Sequence, residues 1–271
     1  MDSRPIGFFD SGVGGLTVLR EVIRRLPAES TLYLGDNARA PYGPRSDDEV
    51  RRFSAECLDE LASRDVKAVV VACNTSSAVA LNDLRLRYPL PILGVVRPGA
   101  TAAALASRTR RVGVIATQAT VRSRAYFQAI KDENPFIEVV EQATPELVPL
   151  VEAGRIEGEL VEEVVRRSLS PLLELSAPLD TLLLGCTHYP LLAPVIRRIV
   201  GPEVAVIDSA LATASALAGL LEIHALTAPV GNDSWHVQLT TGDVAAFQRI
   251  AERLFGNIFP VVEPVAVAGA A

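Results

Sequence analysis

Two short segments of the chain share one pattern: an apolar run, a cysteine, then hydroxyl or amide side chains opening a helical stretch. The first is Val69-Val70-Val71-Ala72-Cys73-Asn74-Thr75 and the second Leu182-Leu183-Leu184-Gly185-Cys186-Thr187-His188. A thiol at a helix N-terminus feels the positive end of the helix dipole, which favours thiolate, and a thiolate is a base as well as a nucleophile. A single free cysteine is usually a small buried hydrophobe. Two at equivalent strand ends, each followed by polar residues, point to a site that works on its substrate from opposite sides. Inverting a carbon centre by proton transfer needs such a pair. Cys57, inside the helical stretch Asp47–Ser63, has no such setting and reads as core or bystander.

Other residues gather around these two. His188, two positions after Cys186, is suited to holding or shuttling a thiol proton. His224 and His236 have no comparable context. No further cysteine or histidine pair lies near enough in sequence to complete a metal site, so no metal is expected. Phe9-Asp10-Ser11-Gly12-Val13-Gly14-Gly15 is a glycine-rich turn from a strand into a helix, a setting that binds anions on backbone N–H groups. A dinucleotide fingerprint is the competing reading, but Thr17 stands where its third glycine belongs. A Walker loop and a Gly-x-Ser-x-Gly elbow are both absent. The chain has two lysines, Lys67 and Lys131, and neither sits where a Schiff base would form, so pyridoxal phosphate is not expected. Two more turn-rich segments follow strand ends: Asn37 to Pro44, and the stretch holding Thr117 and Thr120.

These residues need a scaffold, and the apolar pattern supplies one. Strands are expected at Ile6–Phe9, Leu32–Leu34, Ala68–Ala72, Ile92–Val95, Val112–Ala116, Glu138–Val140, Thr181–Leu184 and Val204–Ile207. Helices are expected at Leu16–Leu26, Asp47–Ser63, Ser76–Arg87, Arg122–Ile130, Ile156–Leu175, Leu191–Val200, Ala210–Leu221 and Asp243–Leu254. Fully apolar strands alternating with helices imply an α/β fold with largely parallel sheets covered on both faces. The order of elements over residues 6–95 recurs over 112–207, giving two pseudo-symmetric lobes with the site in the cleft between them. The first lobe is read as residues 1–96 plus 208–260, the second as 97–207, and residues 261–271 as a partly disordered tail. Open α/β sheets bind ligands at the carboxyl ends of their strands, where both cysteines fall.

The 271 residues, 49% of them hydrophobic, suffice for two modest cores, and a formal charge of −6 disfavours nucleic acid as a partner. No signal-peptide core or membrane-spanning run is visible, and the three cysteines fit no disulfide framework, so a cytoplasmic location with free thiols is expected.

Taken together, Asp10-Ser11-Gly12-Val13-Gly14-Gly15, Gly35-Asp36-Asn37-Ala38-Arg39-Ala40-Pro41-Tyr42-Gly43, Ala72-Cys73-Asn74-Thr75, Leu147-Val148-Pro149-Leu150-Val151-Glu152, Gly185-Cys186-Thr187-His188-Tyr189-Pro190 and Thr240-Thr241-Gly242-Asp243 resemble the glutamate racemase family. The resemblance runs from about Ile6 to Phe255 and implies a cofactor-independent amino-acid racemase that supplies D-glutamate for peptidoglycan. It implies that Cys73 and Cys186 act on opposite faces of the α-carbon, Cys73 taking the proton from D-glutamate and Cys186 from L-glutamate. Asp10 would assist Cys73, His188 would assist Cys186, and Glu152 matches an acidic position near the second thiol. Asp10, Ser11, Tyr42, Gly43, Asn74, Thr75, Thr120, Thr187 and His188 would bind the substrate. A homodimer is implied as well. Aspartate, or another acidic amino acid, is the rival substrate. Arg97 and Thr144 depart from many relatives, which carry an acidic or apolar residue and a cysteine there; neither is expected to touch the main motifs.

Overall fold

The structure, a computed structural model, describes residues 1–268. In chain order the strands are β1 (Ile6–Asp10), β2 (Thr31–Gly35), β3 (Ala68–Val71), β4 (Ile92–Gly94), β5 (Arg111–Ala116), β6 (Glu138–Ala143), β7 (Thr181–Gly185), β8 (Ala205–Asp208), β9 (His236–Thr240) and β10 (Val262–Pro264). The helices are α1 (Leu16–Arg25), α2 (Asp47–Ser63), α3 (Asn74–Val79), α4 (Leu81–Arg87), α5 (Val96–Ala106), α6 (Gln118–Ser123), α7 (Ala125–Glu133), α8 (Leu147–Glu152), α9 (Glu159–Leu173), α10 (Ala193–Val200), α11 (Ala210–Ile223) and α12 (Val244–Phe255). No helix among the described residues is long and apolar enough to cross a membrane.

The strands form two sheets, ordered β10-β9-β2-β1-β3-β4 and β6-β5-β7-β8, with every pairing parallel. Without β9 and β10 the first order is β2-β1-β3-β4, which is the order of the second sheet element for element. In each sheet the strand that leads to a cysteine lies beside the first strand of its series. Strands such as β1, β3 and β7 are buried along their whole length, as continuous Val, Leu and Phe runs require when helices cover both faces. The first sheet is covered on one face by α1, α11 and α12, and on the other by α2 and α4. The second is covered by α8, α9 and α10 on one face and by α5 and α7 on the other.

Several expected boundaries shift. The helix α2 starts where expected because Ser46 and Glu49 cap it reciprocally. The stretch Ser76–Arg87 is instead two short helices, broken at Ala80, whose φ of −112° leaves the helical range. The strand β9 lies outside the expected set because those strands rest on continuous apolar runs, whereas His236-Val237-Gln238-Leu239-Thr240 carries the alternating pattern of a strand and pairs with β2 over five positions. The tail read as partly disordered contributes β10, an edge strand where Pro264 is tolerated, and Val267 packs into the core beneath. Residues 269–271 of that tail lie outside the described residues.

Candidate active site

Cys73 follows β3 and caps α3, and Cys186 follows β7. The carboxyl ends of both sheets face one cavity of about 260 Å³, walled by Cys73, Ser11, Asn74 and Thr75 from one side and by Cys186, Thr187, His188 and Thr117 from the other. Tyr42, Gly43 and Gln118 close one edge, and Thr144, Pro145, Val148 and Pro149 form a mainly apolar rim. Among the described residues no lysine or arginine lines it, so an anion here would be held by hydroxyl, amide and backbone dipoles and by His188. Among the described residues no group of three or more His, Cys, Asp or Glu side chains is placed to hold a metal ion.

On the Cys73 side the thiol lies 3.8 Å from Ser11 Oγ. Burial pushes its pKa up to about 11, and the neighbouring Asp10 carboxylate pushes the same way, against hydrogen bonds from Ser76 and Ser11. The expected lowering by a helix N-terminus does not win: α3 is only six residues long, and desolvation of a charged sulfur is the larger effect. Asp10 is itself fully buried, and burial raises its pKa. Its carboxylate accepts from the backbone N–H groups of Gly12 and Gly15 and from Thr187 Oγ1 at 3.3 Å. The N–H groups of the glycine-rich turn are therefore taken by the protein's own Asp10 carboxyl group. Of that turn only Ser11 reaches the cavity.

On the Cys186 side, His188 Nδ1 stands 3.7 Å from the sulfur, and its Nε2 makes an ion-pair contact of 3.2 Å with Glu152 Oε1 whose angle is not that of a hydrogen bond. Burial opposes protonation of the imidazole, but Cys186 and Glu152 outweigh it and hold the His188 pKa at about 10. His188 is cationic at neutral pH. Glu152, at the end of α8, acts from behind the imidazole and does not line the cavity.

The other predicted binding residues divide into those on the wall and those behind it. Asn74 is buried, with Oδ1 accepting from the Tyr126 hydroxyl while its Nδ2 has no protein partner, which leaves an amide donor for a ligand. Thr75 Oγ1 meets Thr117 Oγ1 at 2.9 Å across the two lobes. Thr120 bonds to both but stays fully buried away from the cavity. Thr117 is the wall residue of that pair; a hydroxyl opening a helix at the end of β5 was the only sequence signal for it. Tyr42 borders the cavity with its hydroxyl committed to Asp36, inside a buried group with Arg39 and Glu56. Gly43 packs so closely on Thr117 that a Cβ would stand 2.9 Å from the threonine Cβ.

Two side chains fall elsewhere, and a third does not. Cys57 is in the core near Arg39 and Tyr42, and burial raises its pKa well above the usual thiol range. Arg97 lies exposed on α5. Thr144 corrects the expectation that it touches no main motif. It lines the cavity, its Oγ1 donates to the Tyr189 hydroxyl at 2.7 Å, and that hydroxyl donates to the Thr144 carbonyl at 3.0 Å.

Twin parallel sheets, with a buried thiol at the equivalent strand end of each and a common cavity between, define a class of isomerase. A family model for Asp/Glu/Hydantoin racemase matches residues 6–217, and the chain belongs to that family. Within it the chain is an amino-acid racemase of the glutamate racemase type. The glutamate racemase of Geobacter metallireducens is 48% identical over 257 residues, which cover 95% of this chain and 94% of the relative. That of Exiguobacterium sibiricum is 46% identical over 249 residues, 92% and 91% of the two chains. The crystal structure of glutamate racemase isoform RacE1 from Bacillus anthracis superposes with a TM-score of 0.94 at 41% identity, covering 98% of both chains. The Francisella tularensis enzyme in complex with D-glutamate gives 0.90 at 33% identity, covering 99% of both.

Proposed function

We propose that this protein interconverts L- and D-glutamate by deprotonation at the α-carbon from one side and reprotonation from the other, with Cys73 and Cys186 as the two acid–base groups. One observation carries the reading: the two thiols stand on facing walls of one small cavity, each at the end of the equivalent strand. In the L-to-D direction Cys186 removes the α-proton, with cationic His188 beside it stabilising negative charge on sulfur. Cys73, whose raised pKa keeps it protonated, delivers a proton to the opposite face. In reverse the buried Asp10 is the neighbouring group able to draw the proton from Cys73. Glu152 holds His188 in charge and position. Asn74 Nδ2, the hydroxyls of Ser11, Thr75, Thr117 and Thr187 and the Gly43 backbone hold the carboxylates and ammonium of the substrate, with Tyr42 and Thr120 acting from behind. Closure of the cavity over the substrate would exclude water and strengthen each of these contacts.

The division into a first lobe of residues 1–96 plus 208–260 and a second of 97–207 belongs to the same proposal, supported by the two sheets. Work as a homodimer in the cytoplasm, supplying D-glutamate for peptidoglycan, is supported by kinship with the glutamate racemases. The test is a circular-dichroism time course on each enantiomer in deuterated water with no added cofactor, α-proton exchange being read by NMR. Decay to zero from both sides with deuterium incorporated is the expected result. Faster turnover of aspartate than of glutamate would change the substrate, and no exchange with either would overturn the mechanism.

A further inference from the structure

The segment that carries the second thiol has an unusual vacancy in its own hydrogen bonding. After Cys186 the chain runs Thr187-His188 into a 3₁₀ turn, Tyr189–Leu192. In such a turn the N–H three residues on would satisfy the Thr187 carbonyl, but that residue is Pro190, which has no N–H. The next amide, Leu191 N–H, goes to the His188 carbonyl. A buried carbonyl left unpaired costs free energy, so a donor from elsewhere is needed.

That donor comes from the other lobe. Thr17, on the first turn of α1 and fully buried, has one hydroxyl proton shared between the Gly14 carbonyl at 2.8 Å and the Thr187 carbonyl at 3.2 Å; the Gly14 carbonyl already accepts from the Thr17 backbone N–H, whereas the Thr187 carbonyl has no backbone donor. Gly14 lies directly under the same segment: a Cβ there would stand 2.5 Å from Thr187 Oγ1 and 2.6 Å from His188 Nδ1. The Thr187 carbonyl belongs to the peptide plane that carries the His188 nitrogen, so fixing it fixes where the imidazole starts. We propose that Thr17, seated over Gly14, is a positioning residue: from the first lobe it completes the Thr187 carbonyl that Pro190 leaves unpaired, and so aims His188 at Cys186. The assignment rests on the two-thiol reading above for its catalytic consequence, but its geometry does not depend on the substrate.

The experiment reads both. Intact protein is treated with limiting iodoacetamide, and alkylation of Cys186 and Cys73 is followed separately by peptide mass spectrometry, alongside glutamate racemisation and thermal unfolding. Thr17→Val should slow Cys186 alkylation at neutral pH about fivefold relative to Cys73 and lower kcat by about tenfold, with KM within about twofold. Thr17→Ser, which keeps the hydroxyl, should restore both. Pro190→Ala returns an N–H to the turn, so adding Thr17→Val to it should cost less than half as much, on a logarithmic scale, as in the parent protein. An unchanged Cys186 to Cys73 ratio in Thr17→Val overturns the proposal. So does an equal loss at both cysteines, or a Thr17→Val effect undiminished beside Pro190→Ala. If the parent protein fails to racemise glutamate while the alkylation pattern follows expectation, the substrate reading falls and the positioning role stands.

Discussion

Replacing Glu152 by glutamine tests the electrostatics of the second half-site directly. The imidazole of His188 is buried, which by itself would lower its pKa, yet Cys186 and Glu152 raise it from 6.5 to about 10. At 1.36 kcal/mol per pH unit that rise is a net preference of roughly 5 kcal/mol for the protonated imidazole, what remains of its pairing with those two groups after burial has been offset. Glu152 supplies the smaller part, because its side chain is 30% exposed and partly screened by solvent. Glu152→Gln should therefore lower the His188 pKa by about one unit, or roughly 1.4 kcal/mol. The assay is an NMR titration of the imidazole Cε1–H signals, practicable because the chain has only three histidines. His236, whose pKa burial lowers, should titrate below the usual range, and a His188→Gln spectrum assigns the remaining signal. The sign for stability follows. A folded-state pKa above the unfolded value gives stabilisation that is complete below about 6.5 and is lost as pH climbs through about 10. The decline of unfolding free energy across that window should flatten in His188→Gln. An imidazole that titrates near 6.5 in the parent protein, or one that Glu152→Gln leaves in place, would refute the reasoning.

Other perturbations separate the remaining parts. Cys73→Ser and Cys186→Ser should each reduce racemisation by at least about a thousandfold, since a serine hydroxyl is a far weaker acid than a thiol and is almost never ionised to act as the base at neutral pH; near-normal rates in either, by circular dichroism, would sink the two-base scheme. Asn74→Ala removes the buried amide donor on the cavity wall that has no protein partner, and should raise KM about tenfold or more with folding largely kept. Far from the cavity, Lys67 is buried against Glu29 at 2.5 Å and the Asp2 carbonyl at 2.6 Å, so Lys67→Met should destabilise by about 3–5 kcal/mol in urea unfolding by leaving Glu29 unpaired.

The chemistry was legible in sequence because it sits on local patterns. An apolar run ending in cysteine marks a buried strand and the functional end of it, and the recurrence of that pattern with the same neighbours implied two lobes before any coordinates. The start of α2 at Asp47 also agrees with the expected stretch, and the structure shows Ser46 and Glu49 capping it. The alternation of β9 is a strand pattern without an apolar run, and that its Gln238 and Thr240 are buried was not legible, since β2 and β10 reach its two edges from distant sequence. Which of Thr117 and Thr120 faces the cavity, and that Thr144 joins the wall through Tyr189, were also invisible, because helix phase and loop contact decide them. The glycine-rich turn shows the division most clearly. Its residue types announced an anion site, but only the folded chain placed Asp10 on its N–H groups and brought Thr17 to Thr187 across 170 residues of sequence. Local composition sets what each strand end is able to do. The contacts that tie one strand end to the other, Thr187 on Asp10 and Thr17 on the Thr187 carbonyl, come from the opposite lobe and are fixed only when the two sheets close on one another.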